Sequence, residues 1–172
     1  MKKTALSGLL ILMIALVAMS GCGKKHDDSP STTATIKILS QGTGTIGAIT
    51  VTAVLPAGVT VKATPDSVNT AALVTDPGVV EVSGVAVGTN TLATGTYTVA
   101  TASAPGKVMI SMVSLGTNSN GFGPGEFVTV TCDIATGSSP KAEDFSVSDF
   151  IAKDLDGAEI ATLTAGLTVD MH

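Results

Sequence analysis

The chain has 172 residues and a formal net charge of −5, from 14 acidic residues and nine lysines, with no arginine. Phosphate recognition relies on arginine forks and basic patches, so this composition argues against a nucleic acid partner. The chain is long enough for one ordinary domain with its own core.

The first 21 residues have the organisation of a secretory signal. Two lysines precede an apolar stretch of 14 residues, Leu6–Met19, whereas a membrane-spanning helix needs about 20. Ser20 and Gly21 then precede Cys22, an order that resembles the lipobox of bacterial lipoproteins. In that family the signal is removed, the cysteine thiol takes a diacylglycerol, and the new N-terminus usually receives a further acyl chain such as palmitate.

The lipobox resemblance implies a membrane anchor at Cys22, and the alternative is an ordinary secretory signal followed by a chance cysteine. Gly23, and not aspartate, follows the cysteine. In lipoproteins of many diderm bacteria this is compatible with the outer membrane. We therefore expect a lipid-anchored envelope protein, at the outer membrane or cell surface rather than the inner membrane.

The rest of the chain divides into two parts. Residues 22–33 are polar without apolar periodicity, which predicts a flexible tether. Residues 34–172 alternate short Val/Ile/Thr-rich runs with Gly, Pro, Asn and Asp, which predicts one all-β domain, an antiparallel β-sandwich of about nine strands. A short helical turn is predicted at Asp66–Val74. The predicted strands are Thr35–Leu39, Ile46–Leu55, Val59–Ala63, Val79–Ser83, Thr96–Thr101, Lys107–Leu115, Glu126–Ile134, Glu143–Lys153 and Ala158–Val169. The last run is expected to be one strand or two short strands.

Two of these runs predict which side chains face the core. In Glu126–Ile134 the apolar residues and Cys132 fall on one face, so Cys132 is expected to be a buried, reduced thiol. Phe127 falls on the opposite, threonine-bearing face. In Glu143–Lys153 the apolar spacing of two, three, two predicts a β-bulge at Ser148–Asp149.

Two short motifs have a functional and a structural interpretation. Gly42–Gly47 matches the dinucleotide pattern G-x-G-x-x-G, but the residues that follow favour a strand and not the helix that pyrophosphate binding needs. The motif is therefore interpreted as a strand connection. Asp154 and Asp156 are weak candidates for calcium binding, but too few ligands surround them for an EF-hand. An Asx turn between two strands is the favoured interpretation.

The inventory of reactive side chains predicts a protein that is not an enzyme. The two histidines are His26, in the predicted tether, and His172, so none lies inside the domain to act as a general base. We expect no catalytic residue, no metal and no cofactor. For ligand contact, Phe122 and Phe127 are the only candidates for exposed rings, and the alternative for Phe122 is a plug over the end of the sandwich.

Several segments resemble cohesin domains. Asp144–Ile160 resembles the C-terminal cohesin segment, in which an apolar strand with a Ser/Asp break leads into an Asp-x-Asp-Gly turn and a last strand. Gly125–Ile134 resembles the preceding cohesin strand, with Cys132 where an aromatic residue is usual. Two further stretches fit the same order: Asp76–Val82 and Ile49–Val61. The resemblance implies a nine-stranded jelly-roll sandwich, a fold shared with some cellulose-binding modules.

The functional expectation follows from the anchor and the resemblance together. Classical cohesins bind dockerin modules through one sheet face, so we expect a non-catalytic envelope module for protein–protein binding or scaffolding. Either a sheet face or the loop Gly121–Gly125 would form the contact. The alternative is a module that binds carbohydrate or extracellular matrix, and a hydrolase accessory domain ranks third.

Overall fold

The structure is a computed structural model, and it describes residues 31–63, 71–74, 77–115 and 120–172. These residues form ten strands and two short 3-10 turns, Gly84–Ala86 and Ala142–Asp144. No helix among them is long and apolar enough to cross a bilayer. The strands are β1 (Thr33–Gln41), β2 (Ala48–Leu55), β3 (Val59–Thr60), β4 (Ala71–Val74), β5 (Val80–Val82), β6 (Thr91–Thr98), β7 (Gly106–Ser114), β8 (Gly125–Ile134), β9 (Ser146–Lys153) and β10 (Thr164–Met171).

The strands make two five-stranded sheets in which every pairing is antiparallel. Sheet I has the order β10-β1-β8-β3, with β5 also paired to β8. Sheet II has the order β4-β6-β7-β2-β9. The prediction of an all-β protein built from two antiparallel sheets is thus confirmed.

The core lies between the sheets and is built from alternate residues of each strand. In β1 the burial alternates along the strand, so that Ile36 and Ile38 are fully buried while Lys37 between them is not. Val51 and Ile110 enter the core from sheet II. Each such aliphatic side chain contributes roughly 1.5–3 kcal/mol on burial, which makes this layer the main source of stability.

A bulge near the start of β8 changes the alternation that the sequence suggests. Ile38 of β1 pairs with Val128 but the next residue, Leu39, pairs with Glu126, so Phe127 is the extra residue of the β8 strand. Phe127 and Val128 are consequently both fully buried. The prediction that Phe127 lies on the threonine-bearing face is wrong, because simple parity fails across a bulge.

The second bulge is where the sequence places it. Thr50 of β2 pairs with Ile151, whereas Thr52 pairs with Ser148, which leaves an extra residue in β9 opposite Val51. Asp149 has a φ of 52°, a left-handed value that is uncommon outside glycine. The extra residue restores parity, so Phe145 and Ala152 both reach the core.

Several predicted elements differ from the structure. The predicted strand Thr96–Thr101 corresponds to β6, which spans Thr91–Thr98, and only Val59–Thr60 of the predicted strand Val59–Ala63 pairs as β3. The predicted helical turn at Asp66–Val74 is wrong for residues 71–74, which form β4 against β6, and its first five residues lie outside the described part of the chain. The last predicted strand, Ala158–Val169, begins at Thr164 instead. Before it, residues 158–163 contribute one isolated bridge, between Glu159 and Lys153.

The two ends of the domain meet at one end of the sandwich. The backbone N–H of Thr32 donates to the carbonyl of His172 at 2.8 Å, and His172 donates in turn to Thr33 at 2.9 Å. The Gly121–Gly125 loop lies at the opposite end, where Phe122 and Ile46 exchange backbone hydrogen bonds of 2.8 and 3.0 Å. A segment that enters β1 therefore approaches the domain from the end away from that loop.

Candidate binding surface

The two phenylalanines expected to be exposed are both in the core. Phe122 is 3% exposed and Phe127 is fully buried, and their ring centroids lie 6.4 Å apart. Neither ring can contact a ligand without leaving this packing, so the exposed platform predicted from the sequence is not formed. For Phe122 the alternative interpretation holds, because its ring closes the end of the sandwich beside Ile46.

The Asp154–Gly157 segment is an Asx turn. The Asp154 Oδ1 atom accepts hydrogen bonds from the backbone N–H groups of Asp156 (3.0 Å) and Ala158 (2.8 Å), and Gly157 has a φ of 84°. The Asp154 carboxylate therefore binds its own backbone. Nowhere in the described segments do three or more His, Cys, Asp or Glu side chains cluster as metal ligands.

The glycines of Gly42–Gly47 allow two loops to touch. A Cβ atom on Gly42 would lie 2.6 Å from the carbonyl oxygen of Thr162, and one on Gly47 would lie 2.6 Å from that of Asp154. These contacts join the β1–β2 loop to the β9–β10 loop. The segment connects two strands, as predicted, and β2 follows it where a dinucleotide site would need a helix.

Cys132 is buried in the core and unreactive by its environment. The side chain is 1% exposed, and it is a free thiol. Burial, and to a lesser degree the charge of Asp133, raises the pKa of the Cys132 thiol to about 12. The thiolate that nucleophilic or metal chemistry requires is therefore disfavoured at neutral pH. The other cysteine, Cys22, lies outside the described residues.

A cleft of about 420 Å³ lies against β1 and β8 of sheet I. Its described lining includes Thr33, Lys62, Thr131 and Asp133. Glycoside hydrolysis needs two carboxyl groups across the scissile bond, and Asp133 is the only carboxylate among these described residues. The described lining of the cleft thus supplies one of the two carboxyl groups that glycoside hydrolysis needs.

The solvent side of sheet II carries exposed aliphatic side chains among hydroxyl groups. Cross-strand pairing sets them in rows: Leu92 lies beside Val113, and Met109 lies between Thr96 and Thr52. We call this surface the sheet II face and define it by its five exposed aliphatic residues, which are 42–58% exposed: Leu73, Leu92, Met109, Val113 and Ile151. At the usual strand spacing of about 4.8 Å, five strands give a face about 20 Å across.

Charge separates the two sides of the sandwich. The strands of sheet II contain one carboxylate, Asp149 at the β9 bulge, and two lysines, Lys107 and Lys153. The strands of sheet I contain one lysine, Lys37, and four carboxylates: Glu81, Glu126, Asp133 and Asp170. An acidic chain thus has one face that is almost free of negative charge and that presents apolar side chains to water.

The sequence of β7 shows part of this face, because some of the residues that point away from the core are apolar. In β7 the inward residues Val108, Ile110 and Met112 alternate with the outward residues Met109 and Val113. A strand that packs on one side only should be polar at every second position. The outward side of β7 is instead mixed, because Met109 and Val113 alternate there with Lys107 and Ser111.

Comparisons with known proteins give no relative from which a function could be transferred. The chain matches no protein-family model, and searches of curated proteins and of solved structures find no similar protein.

Proposed function

We propose that this protein is a non-catalytic module of the bacterial cell envelope, anchored by lipid at Cys22, that binds another protein through the sheet II face. The observation that carries the proposal is the contrast between the two sides of the sandwich. Contiguous exposed apolar surface marks interaction sites on soluble domains, and charge is depleted at interface centres. The sheet II face combines a low density of charge with exposed aliphatic side chains that are set among threonine and serine hydroxyl groups.

The aromatic residues support a protein partner over a glycan. The chain has five aromatic rings. Tyr97, Phe122, Phe127 and Phe145 are buried, and Phe150 is half-buried against the core. Sugar-binding faces stack planar rings on pyranoses. Flat rows of Leu, Met, Val and Thr instead suit a partner that inserts its own large side chains, because a few buried anchors supply most interface energy.

The proposal also includes the topology of the β-sandwich. We propose a cohesin-like jelly roll, and the connectivity supports it, since every connection except β6–β7 crosses between the two sheets. A cohesin-like architecture agrees with a sheet face as the contact surface, but fold by itself does not imply function.

The test is a binding comparison that uses the chain from residue 23 onward. Every strand pairing among the described residues lies between Thr33 and Met171, so this chain contains both sheets. Met109→Glu places a charge at the centre of the sheet II face. Thr131→Glu, on the exposed outer side of sheet I, makes a similar change elsewhere and is the control.

Both variants and the wild type are immobilised and exposed to envelope extract, and the proteins they retain are quantified. We expect the wild type and Thr131→Glu to retain the same protein, and Met109→Glu to weaken its binding at least about tenfold, as loss of a central anchor does. Equal retention by all three contradicts the proposal. Retention of insoluble polysaccharide by the wild type would favour the carbohydrate-binding alternative.

A further inference from the structure

Strand β10 is an edge strand whose outward backbone groups have no partner among the described residues. Thr33 and His172 exchange two hydrogen bonds, Thr33 N–H to His172 O at 3.2 Å and His172 N–H to Thr33 O at 2.9 Å. Such pairs alternate along an antiparallel ladder. Asp170 and Thr168 therefore also turn their backbone groups toward β1. The residues between them turn theirs toward the free edge: Ala165, Leu167, Val169 and Met171.

The other edges of the two sheets are short or irregular. The β9 edge is interrupted by the bulge at Asp149, and β3, β5 and β4 have two, three and four residues. Native proteins protect sheet edges by bulges, charges, proline or short length. β10 has eight regular residues without lysine or proline. Its single carboxylate, Asp170, is already paired with the Lys37 Nζ at 2.6 Å.

The side chains of β10 that face the core are incompletely covered. Leu167, Val169 and Met171 are only half-buried, and so are Val147 and Phe150 on β9, the strand that β10 approaches across the sandwich. This side of the molecule is thus an opening lined by apolar side chains between two edge strands, and it is bordered by the 3-10 turn Ala142–Asp144, which contacts β10 and carries Glu143 and Asp144. An added strand with apolar residues at every second position would both satisfy the free backbone groups and cover the opening.

We propose that the added strand is β10 of a second copy, paired antiparallel about a two-fold axis at Thr168. The unpaired backbone N–H and C=O groups all belong to odd-numbered residues. Two copies of β10 can therefore form hydrogen bonds only in a register that places odd-numbered residues of one copy opposite odd-numbered residues of the other. With the axis at Thr168, Leu167 faces Val169 of the second copy and Ala165 faces Met171.

Between the two β10 strands, this register has no unfavourable charge pair. On the outer side Thr168 faces its own equivalent, and Asp170 faces Gly166 of the second copy. Apolar residues that lie directly opposite each other on paired strands stabilise a sheet, whereas like charges in such positions destabilise it. The strand is therefore self-complementary, which a closed two-fold contact requires.

This contact goes beyond the proposed function because it uses a different surface. A two-fold axis perpendicular to sheet I joins the two sheets edge to edge and leaves both sheet II faces exposed on the same side. The dimer would present two binding faces side by side, and such linkage raises the effective affinity for a partner with repeated sites.

The test uses Thr168, whose side chain is exposed and whose replacement does not disturb the core. In the proposed register Thr168→Lys brings two lysines together and Thr168→Glu brings two glutamates together. Thr131→Lys makes the same charge change on the same side of sheet I, two strands from the edge, and is the control. Circular dichroism checks that every variant is folded.

Sedimentation velocity on the chain from residue 23 onward measures the association. We expect the wild type and Thr131→Lys to be dimers at about 100 μM, where even a complex with a micromolar Kd is largely formed. Each Thr168 variant alone should be monomeric, and an equal mixture of the two should form a heterodimer. A monomeric wild type, a Thr168→Lys dimer, or a mixture that stays monomeric would each overturn the proposal.

Discussion

Phe127 packs at the centre of the core, where its ring is fully buried and lies against that of Phe122. We expect Phe127→Ala to lower the free energy of unfolding by about 3–5 kcal/mol, because it removes a large buried side chain and leaves a cavity. Phe127→Leu should cost less because it keeps more of the volume. Urea denaturation of both variants measures the difference, and a cost below about 1 kcal/mol for Phe127→Ala would show that the ring is not part of a packed core.

Cys132 should behave as a protected thiol with an alkaline titration. Its pKa rises from 9.0 to about 12 in the folded chain, so between those values the unfolded thiol ionises while the folded thiol stays protonated. The thiol therefore lowers stability as pH rises from about 9 toward 12, and has no such effect below that range. Denaturation at pH 7 and pH 10 should show a smaller loss in Cys132→Ala than in the wild type.

A thiol reagent gives an independent check on the same residue. The folded chain from residue 23 onward should be labelled at Cys132 only after denaturant is added, because the side chain is 1% exposed. Rapid labelling of the folded chain would contradict the register of β8, since a shift by one residue exchanges the two faces of a strand.

The contrast between Cys132 and Phe127 shows how far parity predicts side-chain burial. Both residues lie on β8, and Cys132 belongs to an uninterrupted alternation that can be counted directly from Val128. Phe127 lies on the other side of a bulge that depends on how β1 pairs with β8. Nothing local marks that bulge, whereas the β9 bulge is visible in the spacing of its own apolar residues.

At the scale of elements, the β9 bulge depends on a residue in a left-handed conformation. Asp149 has a φ of 52°, which costs a β-branched residue the most and glycine nothing. We expect Asp149→Val to lower the free energy of unfolding by about 1–2 kcal/mol. Asp149→Gly should leave it close to the wild-type value, although it removes the hydrogen bond from the Ser148 hydroxyl.

Urea denaturation of the two Asp149 variants distinguishes backbone strain from loss of the side chain. If Asp149→Gly is as destabilised as Asp149→Val, the carboxylate and not the backbone conformation is what matters at this position. The exposed position of Asp149 makes that second explanation a weak one, because a solvated carboxylate contributes little to stability.

A strand was predictable where its own residues alternate between apolar and polar. It was less predictable where pairing with a neighbouring strand determines whether the segment becomes a strand. β7 and β8 lie within one residue of their predicted bounds. β4 has only four residues, and it is a strand because β6 offers it an edge. The residues before β10 have strand-forming composition, but the Asp154 turn and the loop contact with Gly42 hold them outside the sheet.

For the whole molecule, the sequence predicted the all-β class correctly, but it did not locate the surface that we propose as the binding site. The lack of arginine, tryptophan and internal histidine reduces the number of reactions and ligands that we expect for the domain. The two rings predicted to contact a ligand, Phe122 and Phe127, are core residues. The sheet II face arises from five strands that are distant in sequence. Its charge contrast with sheet I becomes visible only when the strand order is known.

We expect a lipid anchor to hold the domain at the membrane. No helix in the described part of the chain could span a bilayer, and the domain is acidic, so an anionic membrane surface would repel it. We propose that lipid at Cys22 holds the protein at the membrane. We expect the wild type and Cys132→Ala to enter the detergent phase in a detergent partition experiment, and Cys22→Ala to remain in the aqueous phase.

Cys132→Ala is the matched control because it removes the other cysteine and leaves the lipobox unchanged. Metabolic labelling with a palmitate analogue should mark the wild type and Cys132→Ala but not Cys22→Ala. If Cys22→Ala still sediments with membranes after a high-salt wash, an attachment other than lipid holds the protein. Two or more acyl chains anchor stably where a single chain does not. Full retention of the wild type would therefore indicate at least two acyl chains, a number that the diacylglycerol on the thiol supplies by itself.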